Sequence, residues 1–207
     1  MEQIIQKNLQ KGEFRKALNL LEIYKDKESN NVALNYYFGK VYFQLNDHKK
    51  SLFYFRKCNQ INPGNPKILY NLAQVLQGQG KIDEAKKIYE KLIKQNSTDI
   101  KSYYGLFNLG VKNINDGYAF KLETLSNHKN IKLFDKCLIN FILSKLKKKE
   151  NKLNEELELL KLSHQQCFDA HTNFNNQSEF YYNKIITKNY NKIKFEGDPN
   201  KKKSFSK

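Results

Sequence analysis

The sequence predicts an all-α fold: a right-handed solenoid of helical hairpins with a C-terminal capping helix. Three observations carry this. The chain resembles itself at a step of 34 residues, a period typical of stacked repeats. Helix breakers are scarce, with nine glycines and three prolines in 207 residues. Fourteen phenylalanines and 13 tyrosines are too many core formers for a disordered chain, even at a mean hydropathy of −0.78.

The step is visible residue by residue. It aligns Ala17, Ser51, Ala85 and Ala119, small at every turn of the repeat, and Leu20 with Tyr54, Ile88 and Leu122. Leu21, Phe55 and Tyr89 fall together, as do Phe38, Leu72 and Leu106, Gly39 and Ala73, and the series Tyr36, Tyr70 and Tyr104. Each unit reads as two helices of about 13 residues with apolar positions at helical spacing. A small residue in the second helix lets the first pack closely against it. Neither helix can bury its apolar surface alone, so the units must stack.

Taken in order, a partial first unit covers 1–31, with Gly12 at its turn and Phe14, Ala17 and Leu21 on its second helix. Units 32–65 and 66–99 are the strongest; Gly80 marks the turn of the latter, and Pro63 and Pro66 stand at the junction where a helix must stop. A degraded unit, 100–131, keeps Tyr104, Leu106 and Ala119 but loses the turn glycine. Beyond 131 the frame slips. Residues 132–194 read as a divergent hairpin turning near 148–151, with Leu138, Phe141, Leu143 and Leu146 on its first helix and Leu153, Leu157, Leu160 and Leu162 on its second. A capping helix is expected from about 178 to 194, with Phe180, Tyr181, Ile185, Ile186, Tyr190 and Ile193 on its apolar side. Residues 195–207 are expected to be a basic, disordered tail.

The formal charge of +16 raises the question of nucleic acid, but it is spread evenly: +7 over residues 1–100, +5 over 101–165 and +4 over 166–207. Only Arg15 and Arg56 among the basic residues are arginine, the side chain best suited to phosphate and base contacts. Binding of nucleic acid through lysines is therefore the weaker reading. Cys58, Cys137 and Cys167 are scattered and odd in number, which suits a reducing cytoplasm better than a disulfide framework. The opening residues lack an apolar signal core, and no stretch has the length of a membrane span, so a cytoplasmic location is expected.

Catalytic chemistry is not indicated. Gly78 and Gly80 lie at a hairpin turn without the following Lys-Ser/Thr of a phosphate-binding loop, so no cofactor is expected. His164, Cys167 and His171 would share one helical face and could reach a metal, yet no fourth ligand can be placed and no metal site is assigned. The acids Asp83 and Glu84 open a helix, where its dipole favours them. Glu155, Glu156 and Glu158 alternate with leucines as a solvated face.

With Phe38-Gly39, Tyr42, Phe55 and Pro63 in one unit and Leu72-Ala73, Leu76, Gly80, Ala85 and Tyr89 in the next, the chain resembles tetratricopeptide repeat proteins. That resemblance implies a concave groove lined by the first helix of each unit. Its groove-facing positions here are Tyr36 and Lys40, then Lys67, Tyr70 and Gln74, then Lys101, Tyr104 and Asn108. Some relatives of this kind grip a C-terminal carboxylate with a set of Lys, Asn and Arg. Asn71 and Lys101 match two of that set, but Tyr36 and Lys40 stand in place of its Lys and Asn, and Gly105 in place of its Arg. The distal half, through YYGLFNLG at 103–110 and LINFILSKL at 138–146, also resembles the repeat region preceding the catalytic domain in bacterial sulfotransferases of this repeat class. No Pro-Arg-Ser-Gly-Thr-Thr loop for the sulfate donor occurs in the 207 residues, so sulfate transfer is not expected of them. The function expected is non-catalytic: a scaffold whose groove holds a protein or peptide, with acidic groups meeting its lysines. The alternative is the N-terminal repeat region, truncated or split, of a sulfotransferase.

Overall fold

The hairpins are closed by one recurring turn. The computed structural model describes residues 2–25 and 31–172. They form ten α-helices: α1 (Glu2–Gln10) pairs with α2 (Phe14–Tyr24), α3 (Val32–Gln44) with α4 (His48–Ile61), α5 (Pro66–Gly78) with α6 (Ile82–Gln95), and α9 (Leu133–Lys149) with α10 (Leu153–Ala170), while α7 (Ile100–Asn108) and α8 (Asp116–Ser126) each pack against α9. At the first three turns the amides of Glu13, Asp47 and Lys81 donate across six residues to the carbonyls of Asn8, Tyr42 and Leu76, each at 2.9 Å. This bond satisfies a helix-end carbonyl and needs a left-handed residue just before its donor. Gly12 (φ +73°), Asn46 (φ +59°) and Gly80 (φ +75°) supply it at 34-residue intervals. The two glycines are legible in the sequence as turn residues; Asn46 is their structural equivalent without being glycine.

Helix starts follow equally local rules. Asn31 Oδ1 accepts from the Leu34 amide at 3.1 Å, Asp47 Oδ1 from Lys50 at 3.0 Å, and Asn65 Oδ1 from Lys67 at 3.0 Å, ahead of Pro66 at the first helical position. The small residue of the second helix is fully buried in the first three units, at Ala17, Ser51 and Ala85. The Ser51 hydroxyl donates to the Gly39 carbonyl at 2.8 Å, tying α4 to α3. Phe55 lies so close that a Cβ on Gly39 would sit 2.9 Å from its ring, and the Tyr89 ring presses on Gly105 in the same manner.

The fourth unit departs from the pattern in the way its missing turn residue implies. Ile114 stands where Gly80 would recur; α7 ends after nine residues, Gly110 turns the chain at φ +133°, and a short 3-10 turn, Val111–Asn113, precedes α8. Ala119 is only half-buried there. In the last hairpin the same turn returns, with Asn151 at φ +59° and the Lys152 amide donating to the Lys147 carbonyl at 3.0 Å. Three 34-residue steps from Asn46 lead to 148, so the register has slipped by three.

Along α9, Cys137, Ile139, Asn140, Ile142, Leu143 and Ser144 are buried, while Leu138 and Leu146 pack half-buried against the core. Of the α10 leucines, Leu159 packs against the core, but most of those expected inside lie off the inner face. Leu153, Leu157 and Leu162 are 64, 54 and 47% exposed, whereas Glu156 and Ser163 are buried. Polar pairing accounts for this: Lys145 Nζ lies 3.6 Å from Glu156 Oε1, and the Ser163 hydroxyl donates to the Cys137 carbonyl at 2.9 Å. The expected capping helix (178–194) and tail (195–207) lie outside the described residues.

Candidate functional site

A groove of about 780 Å³ opens on the side where α1, α3, α5 and α7 line up. Five of the eight expected residues line it: Tyr36 and Lys40 from α3, Lys67 and Tyr70 from α5, and Lys101 from α7. The helical spacing of Tyr36 and Lys40, one turn apart, brings them to the same wall.

Tyr36 and Tyr70 are half-buried, so the rings are partly packing surface and partly groove wall. Burial raises the pKa of both hydroxyls; near Tyr70 the charge of Asp99 and the Tyr104 hydroxyl add to the effect. Asn71 donates to the Tyr36 hydroxyl at 3.1 Å and to the Lys67 carbonyl at 2.6 Å, fixing the ring between α3 and α5. Tyr36 meets Phe55 edge to face at 5.8 Å, and Tyr70 meets Tyr89 at 5.9 Å. Aromatic residues from the second helices therefore hold the groove tyrosines from behind.

Electrostatically the groove is basic. Lys40, Lys67 and Lys101 line it, and none is in an ion pair among the described residues. Asp99, the one lining carboxylate among the described residues, accepts a hydrogen bond from the Ser102 hydroxyl. Amides complete the wall: Gln6 and Gln10 on α1, Gln44 on α3, and Gln95 and Asn96 at the end of α6. Sequence reasoning missed these. The first unit is too degenerate for its groove positions to be aligned, and the α6 residues belong to a second helix. Asn96, one residue past the end of α6, gives no periodic signal of its own.

Gln74 is half-buried on α5 and Asn108 is exposed at the end of α7; neither lines this groove. Tyr104 stands apart as well, stacking on Phe107 at 6.2 Å and facing Phe141. It lines a second, more apolar cavity of about 570 Å³ with Phe134, Leu138 and Phe141 of α9 and Cys167 of α10. His164 and His171 also line that cavity. His171 Nδ1 lies 2.8 Å from the Cys167 carbonyl oxygen and 3.9 Å from its sulfur, so the ring is engaged with the end of its own helix. Among the described residues no three His, Cys, Asp or Glu side chains come together to hold a metal ion, and no helix is long and apolar enough to cross a membrane.

Comparison with known proteins agrees with this architecture. Residues 43–106, spanning the α3–α4 turn to α7, match the tetratricopeptide repeat model. Among solved structures, MamA from Desulfovibrio magneticus superposes with a TM-score of 0.61 at 17% identity, over 79% of this chain and 91% of that one. A putative kinesin light chain from Podosopora anserina, with nearly identical TPR-like repeats, gives 0.64 at 14% identity, over 81 and 93%. YrrB, a TPR protein described as having an unusual peptide-binding site, gives 0.57 at 14% identity, over 78 and 82%. No curated protein sequence matches the chain.

Proposed function

From a fold that is a tetratricopeptide-repeat solenoid, we propose that this protein is a non-catalytic scaffold that binds an extended, acidic peptide segment of a partner protein in its concave groove. The observation that carries the reading is the groove itself: three lysines that form no ion pair among the described residues, flanked by half-buried tyrosine rings and side-chain amides. Rings supply contact area, amides pair with a ligand's backbone, and lysines attract its acids. YrrB, similar in fold, is described as having a peptide-binding site, which supports the reading without identifying a ligand for this chain.

Affinity capture from the protein's own cells tests it, comparing the natural chain with a Tyr36→Ala/Lys67→Glu variant. The specific partner should be lost from the variant while its helical circular dichroism is retained. A partner retained by both proteins would place binding elsewhere. Salt separates this from nucleic-acid binding: neutralising several phosphates makes affinity fall by orders of magnitude between 50 and 200 mM salt. The groove complex should weaken by no more than about tenfold over that range, since a few exposed ion pairs contribute little.

A further inference from the structure

Away from the groove, the α9–α10 hairpin carries two thiols at its open end, opposite its turn at Asn151. Cys137 lies near the start of α9 and is buried; Cys167 lies near the end of α10 and is half-buried. Both line the apolar cavity of about 570 Å³. Contacts between the helices fix their register. The Phe134 and His171 rings meet at 5.5 Å, the Ser163 hydroxyl donates to the Cys137 carbonyl at 2.9 Å, and Asn140 donates to the Gln166 side chain at 2.8 Å. Midway between Ser163 and His171, one turn from each, the same strip of α10 presents Cys167. The Ser163 hydroxyl also lies 3.6 Å from the Cys137 sulfur. The helices are close here, since a side chain as short as serine reaches from one to the backbone of the other. A disulfide, with Cα atoms about 4.4–6.8 Å apart, needs such an approach. Burial raises the pKa of the Cys137 thiol, Ser163 lowers it, and Cys167 raises it again, as a neighbouring sulfur does.

We propose that Cys137 and Cys167 form a reversible redox pair, a modification site that takes a low-molecular-weight disulfide of the glutathione type as its oxidant. Cys167, the more accessible of the two, attacks that disulfide as its thiolate. The small S–S bond breaks, a mixed disulfide forms on Cys167, and one small thiolate leaves. The Cys137 thiol then gives up its proton and attacks the Cys167 sulfur, forming the bond between them and expelling the second small thiolate. Two protein thiols are oxidised, one small disulfide is reduced to two thiols, and the two protons end on those thiols. The new bond closes the open end of the hairpin, and the ring it makes constrains the unfolded chain, so the oxidised form is the more stable. Cys58 takes no part: it lies on α4, where its thiol donates to the Val32 carbonyl at 3.5 Å. The site stands independently of the groove and its ligand.

The test treats the folded 207-residue chain with oxidised glutathione, quenches with acid, blocks free thiols with N-ethylmaleimide in denaturant and maps the products by peptide mass. A peptide pair joining Cys137 to Cys167 should exceed the Cys167–glutathione adduct at least about tenfold, because the second thiol is held beside the first. Cys58 should be recovered as a free thiol. The urea midpoint should rise on oxidation and return with dithiothreitol. Cys137→Ser should trap the glutathione adduct on Cys167, and Cys167→Ser should abolish both the bridge and the rise in midpoint. Circular dichroism establishes that each variant is folded; if the buried Cys137→Ser change unfolds the chain, the half-buried Cys167→Ser change carries the comparison. A Cys167 adduct that persists in the natural chain, three free thiols after oxidation, a bridge to Cys58 or between two chains, or a Cys137–Cys167 bridge that forms only in urea each overturns the inference.

Discussion

At position 46 an asparagine holds the left-handed backbone that glycines hold one repeat earlier and later. Asparagine tolerates this conformation through its short polar side chain, while a β-branched residue does not. Asn46→Val should therefore destabilise the protein by about 1–2 kcal/mol, and Asn46→Gly should leave it nearly unchanged. Urea midpoints decide this; equal losses in both variants would mean that Asn46 acts through its side chain rather than its backbone. The Asn65 cap and the Ser51 bond to the Gly39 carbonyl are local devices of the same kind. Each satisfies one backbone group that burial or a helix end would otherwise leave open.

Between elements, close approach is set by which residue lacks a side chain. α7 rests on α6 where the Tyr89 ring lies against Gly105, with no room for a Cβ between them. Gly105→Ala should force the helices apart and cost about 1–3 kcal/mol, the usual range for overpacking. Because α7 carries Lys101, ligand binding should weaken in parallel; unchanged stability and binding would show that the ring moves aside without cost. Hydrophobic pattern alone misleads in α10. Its leucines are the visible periodic feature, yet Glu156 and Ser163 face α9 because each finds a partner there.

For the whole molecule, buried thiol and phenol groups set the alkaline limit. Burial pushes Cys58 up to about 12 and Tyr42 up to about 12, with Tyr36, Tyr70, Tyr89, Tyr103 and Tyr118 also raised. The unfolded chain releases these protons near pH 8.5 for a thiol and 10 for a phenol. Their stabilising contribution is complete below those values and is lost as pH rises toward 12, since the native state then binds more protons than the unfolded state. Urea midpoints should fall progressively between about pH 9 and 12, and Cys58→Ala should flatten the early part of that fall. A profile flat to pH 11 would contradict the burial of these groups.

The sequence by itself determined the helical class, the hairpin unit, its 34-residue step and most of its turns. These follow from local causes: periodic apolar residues, a backbone that must turn left-handed, and caps that satisfy nearby amides. Five groove residues were legible for the same reason, since a repeated position on a repeated helix faces one way. Tertiary structure decided the rest. It separated Tyr104 from the groove, brought Gln6, Gln10, Gln95 and Asn96 into it, and turned Glu156 and Ser163 inward. The physical reason is that a groove wall is assembled from helices distant in sequence. Packing across the stack, and the partners available there, decide which side chain faces the groove.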